Sequence, residues 1–180
     1  FAPMLMLGIA LMIKAPDLLA KRLNAKEKQA AQKGVVAAAG VIFIAAFVLA
    51  GLDFRYGWTV VPVWLIWLSS AVMLLSYGMY AEVMRENAYL SRTIKVEEGQ
   101  KVVDTGLYGI VRHPMYAVTL VLFLSMPLVL GSMPAFVVFL TYPAIIARRI
   151  LGEEEILKRD LPGYAEYLDK VRWRLIPYIW

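Results

Sequence analysis

Apolar residues fall along this 180-residue chain in five runs separated by polar segments. The runs are Phe1–Ile13, Val35–Leu52, Thr59–Tyr80, Met115–Leu130 and Pro134–Ala147. A helix needs about 20 apolar residues to cross the hydrocarbon core of a bilayer. The second and third runs approach that length with no interior charge. The last two are shorter and are joined by Gly131-Ser132-Met133, which predicts a helical hairpin that is tilted or crosses only in part. The first run begins abruptly at Phe1, as the tail of a longer membrane helix would. It lacks a basic leader and a convincing small-residue cleavage site, so no cleavable signal peptide is expected. The connection Asp53–Trp58 reads as a tight polar turn. The alanine-rich stretch Val35–Ala50 predicts close helix packing through small residues. The predicted fold is all-α: a polytopic transmembrane helical protein with about five membrane helices, forming a single domain over residues 1–180.

Composition supports this pattern. Hydrophobic residues make up 61% of the chain and its mean hydropathy is +0.63. Soluble domains are about half apolar, and a globule this small has too little interior for the excess. The formal charge is +5, but the cations lie between apolar runs rather than along one face. That distribution argues for a membrane and against nucleic acid. Segment 14–33 carries Lys14, Lys21, Arg22, Lys26, Lys28 and Lys33 against Asp17 and Glu27. Segments 81–112 and 148–180 are also basic, whereas the turns at 53–58 and 131–133 hold only Arg55 between them. Placing the basic segments in the cytoplasm gives a self-consistent alternation. Trp58, Trp64 and Trp67 suit an interface. There is no cysteine, which excludes disulfides and thiolate–zinc sites, and the lone His113 cannot build a histidine-rich metal site.

Residues 81–180 hold the candidate chemistry, leaving 1–80 as scaffold. In Asp104-Thr-Gly-Leu-Tyr-Gly-Ile-Val-Arg-His-Pro-Met-Tyr116, Gly106 and Gly109 permit unusual backbone angles or close approach. Pro114 suits a first helical position and pushes His113 toward an extended conformation, so His113 is expected to cap the next helix. Arg112, His113 and Tyr116 then cluster at a helix N-terminus, which favours an anion. The same residues would also serve as interfacial anchors. In Arg148-Arg149-Ile-Leu-Gly-Glu153-Glu154-Glu155, a helix puts Arg149 and Glu153 on one face. That pair reads either as a solvated salt bridge or as a cation-binding carboxylate beside an anion-binding arginine. A zwitterionic ligand would satisfy the second. Tyr164 and Tyr167 share a helix face, where packing is the commoner explanation, and the basic, aromatic tail suits a headgroup layer.

These stretches, in this order, resemble the isoprenylcysteine carboxyl methyltransferase family of membrane-embedded S-adenosylmethionine enzymes. The motifs are Gly106-Leu-Tyr108, Arg112-His-Pro-Met-Tyr116, Glu153-Glu154, Tyr164-Ala-Glu-Tyr167 and Pro177, across roughly residues 85–180. The resemblance implies cofactor contacts at Tyr108, His113, Pro114, Met115, Tyr116 and Glu153. It also implies contacts along Gln100, Lys101, Val102 and Val103, largely through backbone. Arg149 would face the methyl acceptor, and Glu154 is a weaker candidate. Gln100 stands where some relatives have histidine, Val118 stands where family members often have glycine, and Arg172 and Arg174 receive no role.

What the resemblance implies is a methyltransferase moving a methyl group from S-adenosyl-L-methionine to the carboxylate of a prenylated cysteine or similar lipophilic acceptor. S-Adenosyl-L-homocysteine would be the product. The partners expected are that acceptor and membrane lipids, with neither nucleic acid nor metal. The protein would be multi-pass, in a bacterial inner membrane or the endoplasmic reticulum, with its cofactor site facing the cytoplasm. The residues fit this chemistry: Arg112 and a helix N-terminus can hold a carboxylate, and Tyr108 or Tyr116 can offer an aromatic face to a sulfonium. An ionised carboxylate acceptor needs no general base, which leaves alignment and desolvation as the catalytic means. Phospholipid amine or small-thiol methylation on the same scaffold stays open. So does an NADPH-dependent sterol-type reductase, whose ending Arg174-Leu-Ile-Pro-Tyr-Ile-Trp180 resembles, and so does a non-enzymatic scaffold.

Overall fold

The computed structural model describes residues 2–14, 16, 20, 30–87, 89, 96 and 99–180. The cations Lys21, Arg22, Lys26 and Lys28, which helped set the predicted orientation, lie outside the described residues, as do residues 90–95 of the polar connection. Among the described residues all regular structure is helical. In chain order the helices are α1 (Ala2–Lys14), α2 (Ala30–Tyr56), α3 (Val63–Glu86), a short 3₁₀ turn (Gly106–Gly109), α4 (Pro114–Val129), α5 (Met133–Phe139), α6 (Tyr142–Asp160) and α7 (Tyr164–Lys170).

Three helical stretches are long and apolar enough to cross a membrane: Lys33–Tyr56, Val63–Glu86 and Met133–Asp160. Pro114–Val129 is a shorter apolar helix, whose 16 residues rise about 24 Å. The described structure therefore holds three candidate spans plus one shorter helix. The thirteen-residue α1 lies against α3.

Two predicted boundaries are corrected. The run Pro134–Ala147 is not one helix, because α5 ends at Phe139 and α6 begins at Tyr142. Pro143 explains the break: its ring collides with the carbonyl four residues earlier, which belongs to Phe139. The second helix then continues through the charged segment to Asp160, far beyond the apolar run. Its buried positions Tyr142, Ile146, Arg149, Ile150 and Glu154 recur at helical spacing, so one stripe faces inward despite the charges.

The segment Asp53–Trp58 is likewise not a turn along its length. Helix α2 runs to Tyr56, and Asp53 is only 1% exposed. Its carboxylate accepts bonds from the Thr59 N–H (2.8 Å) and hydroxyl (2.6 Å). The Met133 N–H donates to the Thr59 oxygen at 3.3 Å. These bonds gather the α2–α3 and α4–α5 connections at one end of the bundle, opposite the ends where α3 and α6 finish and α4 begins.

The main core joins four helices. Ala46 and Ala50 of α2 are buried against Tyr116, Leu120, Ala135, Phe139, Ile146 and Ile150. Alanine lets the backbones approach closely, as the sequence predicts. Phe43 meets Phe123 and Phe139 edge-on, with ring centroids 4.7 and 5.0 Å apart. That arrangement suits the positive edge and negative face of aromatic rings. A second cluster sets Val83 of α3 against Val118 of α4 and Tyr108. Val118 thus fills a helix–helix contact rather than narrowing the cleft described below.

Candidate active site

The site is built where α4 starts, α6 ends and the C-terminal segment returns. Its foundation is the 3₁₀ turn. Gly106 has φ +50°, and a Cβ there would fall 1.6 Å from the Glu86 carboxylate. Glu86 occupies that space to accept the Leu107 N–H at 3.1 Å. Only glycine permits both the backbone angle and this approach. The turn presents Tyr108, whose carbonyl accepts the Tyr167 hydroxyl at 2.7 Å. Nearby, Asp104 pairs with Lys170 at 2.5 Å, and the Lys170 hydrogen bond holds its carboxyl below the usual aspartate value.

His113 stands at the N-cap position of α4 and Pro114 at the first helical position, as expected. The imidazole makes no cap hydrogen bond, however. It turns to Glu154, with Nε2 at 3.3 Å from Oε1. Glu154 is 2% exposed and also meets Arg112 Nη1 and Arg174 Nε, each at 3.0 Å. A buried carboxylate is tolerable only when so paired. The C-terminal segment is laced to the same place. Arg112 N–H donates to the Trp173 carbonyl (2.8 Å), His113 N–H to the Arg174 carbonyl (2.9 Å) and Arg112 Nη2 to the Arg172 carbonyl (2.7 Å). Arg172 and Arg174 receive no role from the sequence pattern. The structure uses the backbone of the first and the guanidinium of the second to anchor the tail.

A second relay crosses from α4 to α6. The Tyr116 hydroxyl donates to Glu153 Oε2 at 2.6 Å and accepts from Arg149 Nε at 3.0 Å. Arg149 and Glu153 share a helix face as predicted, and Tyr116 bridges them. The adjacent glutamates therefore diverge: Glu153 faces α4's tyrosine and Glu154 the cationic cluster beneath.

One open cleft, with about 810 Å³ of empty space including its mouth, is lined by these elements. Gln100, Lys101, Val102 and Val103 form one wall, with Tyr108 beside them. His113, Met115, Tyr116, Arg149 and Glu153 complete the set that the sequence singled out. Pro114 is fully buried at the start of α4 and does not line the cleft; Glu154 does not line it either. Arg112, which the sequence offers for a carboxylate, lines it, and so do Tyr164 and Tyr167, noted in the sequence without a cofactor role. Burial pushes the Tyr108, Tyr164 and Tyr167 hydroxyls well above the ordinary tyrosine value, so they stay protonated at neutral pH. Asn87, Tyr89, Leu157 and Leu161 were missed. Leu157 lies four residues beyond Glu153, and reading α6 through its charges would have found it. Asn87 and Tyr89 close α3 without any local signal, since only the fold brings residue 87 beside residue 108.

Pairing opposite charges around a buried tyrosine suits a small polar molecule that carries both signs. The chain is similar to the Delta(14)-sterol reductase of Mus musculus, at 30% identity over 91 residues. That match covers 49% of this chain and 22% of the mouse protein, so the chain spans less than a quarter of that relative's length. Residues 64–159 match the isoprenylcysteine carboxyl methyltransferase family. That match takes in α3 and α6 except for one end residue of each, with the 3₁₀ turn, α4, α5 and both glutamates between, and on it the chain belongs to the isoprenylcysteine carboxyl methyltransferase (ICMT) family.

Proposed function

We propose that this protein is a membrane methyltransferase that uses S-adenosylmethionine to methylate the carboxylate of a prenylated cysteine or similar lipophilic acceptor. The observation that carries the reading is the cleft itself. Nine of the ten residues implied as cofactor contacts line it, together with Arg149. Family membership supports the methyltransferase class.

The lining fits the cofactor's chemistry. Its amino group calls for an anion, which Glu153 supplies, and its carboxylate calls for a cation. The adenosine and sulfonium call for aromatic and apolar walls, which Tyr108, Tyr116, Met115 and Val102 offer. When bound, S-adenosylmethionine supplies an electrophilic methyl group. The protein's own residues orient, neutralise and exclude water. Arg149 is 9% exposed and within reach of the lining, so its guanidinium would hold an acceptor carboxylate by charge-assisted hydrogen bonds. Tyr116 fixes Arg149 Nε, and Glu153 fixes Tyr116, so the arginine is oriented before any ligand arrives. An acceptor that is already ionised needs no base. A lipidic acceptor would reach the site from the bilayer, and the water-soluble cofactor would come from the basic, cytoplasmic side.

A second reading is reductive. The mouse relative is a sterol reductase by name, and the matched segment overlaps the same half of this chain. Titration calorimetry on the purified protein separates the two. Binding of S-adenosylhomocysteine without NADPH binding is expected. NADPH binding alone would replace the methyltransferase reading with the reductive one. Labelled-methyl transfer to prenylcysteine, phosphatidylethanolamine and small thiols then identifies the acceptor.

A further inference from the structure

Two buried polar atoms on the cleft wall have no partner among the described residues: Arg112 Nε and the Tyr164 hydroxyl. Both residues line the cleft. The Arg112 side chain is 8% exposed and Tyr164 is 4% exposed. Buried donors are nearly always satisfied, because an orphan forfeits its hydration for nothing. The rest of Arg112 is fully used. Its Nη1 holds Glu154 and its Nη2 holds the Arg172 carbonyl, which fixes the guanidinium plane and with it the direction of Nε–H. Tyr164 is fixed by packing against Leu161, Tyr167 and Val171, and its ring lies 5.7 Å from that of Tyr167. Neither donor can swing to find water without breaking these contacts.

The surrounding charge sets what the two donors want. Arg112, Arg149 and Arg174 face two glutamates, Glu153 and Glu154, and Glu154 is already shared by Arg112, Arg174 and His113. The cluster therefore keeps one positive charge in excess. Tyr164 stays protonated, since burial and the neighbouring glutamates oppose its ionisation. A fixed Nε–H on a cation and a fixed, protonated O–H near it are both donors and suit an anionic oxygen acceptor.

We infer that Arg112 Nε and the Tyr164 hydroxyl form a subsite for the α-carboxylate of the cofactor's amino-acid portion. This rests on the methyltransferase reading and adds Tyr164 as a binding residue with a stated partner. Glu153, across the cleft on α6, takes the opposite end of the same zwitterion. The two donors and Glu153 would thus bind the two charged groups of one ligand.

The test compares wild type with Tyr164→Phe by calorimetry and thermal melting. The ligands are S-adenosylmethionine and its decarboxylated analogue, which lacks only the carboxylate. Wild type should bind S-adenosylmethionine more tightly than the analogue. Tyr164→Phe should weaken S-adenosylmethionine about tenfold, since hydrogen bonds to charged groups are among the stronger ones, and should leave the analogue's affinity unchanged. The ligand-free variant should melt no lower than wild type, because the lost hydroxyl had no partner there. Equal weakening of both ligands, no weakening of either, or a lower ligand-free melting temperature each overturns the subsite. If wild type binds neither ligand, the methyltransferase reading itself fails. Wild-type binding with an indifferent variant rejects the subsite alone.

Discussion

Replacing Glu154 by glutamine tests whether this buried carboxylate holds the site together. The change keeps the shape and removes the charge. Arg112, with its side chain 8% exposed, would then face a neutral amide. Removing one partner of a buried ion pair costs about 3–5 kcal/mol. The Arg174 arm is 27% exposed on its side and adds no more than about 1 kcal/mol. The amide retains one acceptor oxygen, so the loss should fall near the lower bound, about 3 kcal/mol. In a domain of this size that lowers the melting temperature by about 6–12 °C. The tail should also loosen, because Arg174 loses its side-chain anchor and Arg112 carries two of the backbone links to it. Melting of the purified protein in one detergent measures the first effect, and trypsin cleavage after Arg172 and Arg174 measures the second. Glu153→Gln is the comparator, since Glu153 lines the cleft and accepts from Tyr116. It should weaken S-adenosylhomocysteine binding with a smaller change in melting. If Glu154→Gln melts like wild type and its tail stays resistant to trypsin, the keystone role assigned to Glu154 is wrong.

Arg149→Ala should reduce methyl transfer by more than it reduces S-adenosylhomocysteine affinity, and loss of affinity alone would reverse the roles given to Arg149 and Glu153. Gly106→Ala should destabilise by about 1–3 kcal/mol, visible in thermal melting, because its φ of +50° strains any side chain and the Glu86 carboxylate must leave Leu107. Asp53→Ala should cost about 1–3 kcal/mol by stranding the Thr59 N–H and hydroxyl at the opposite end of the bundle, with ligand affinity unchanged. The Asp104–Lys170 contact should matter only above acid pH. The folded carboxyl lies below its ordinary 3.8, so its contribution is present above that value and fades as pH falls below it. Asp104→Asn should therefore flatten the acid limb of a stability–pH curve, and an unchanged limb would remove the contact from the account.

Much of this molecule is legible in the order of its residues. Long uncharged runs such as Val35–Leu52 need lipid whatever surrounds them, because no interior this small could hold them. The alanines of that run foretell close packing, and Gly106 and Pro114 constrain the backbone locally. Arg149 and Glu153 meet through helical spacing alone. These are local or compositional facts, carried by steric rules and periodicity over a few residues. Where the reading failed, a distant partner decided. Asp53 looks like a turn residue until Thr59 is known to face it. Phe139 ends a helix because of a proline four residues later. His113 looks like a cap until Glu154, forty-one residues on, draws its imidazole away. The division of labour between Glu153 and Glu154 is the clearest case. In sequence they are one acidic pair, but successive residues on a helix point about 100° apart. One therefore meets Tyr116 at the cleft and the other is sealed among Arg112, His113 and Arg174. The sequence by itself determined that carboxylates and cations would meet at one end of a membrane bundle. Which carboxylate holds the fold and which faces the ligand depended on where the packed C-terminal segment set its cations, and only the tertiary structure decided that.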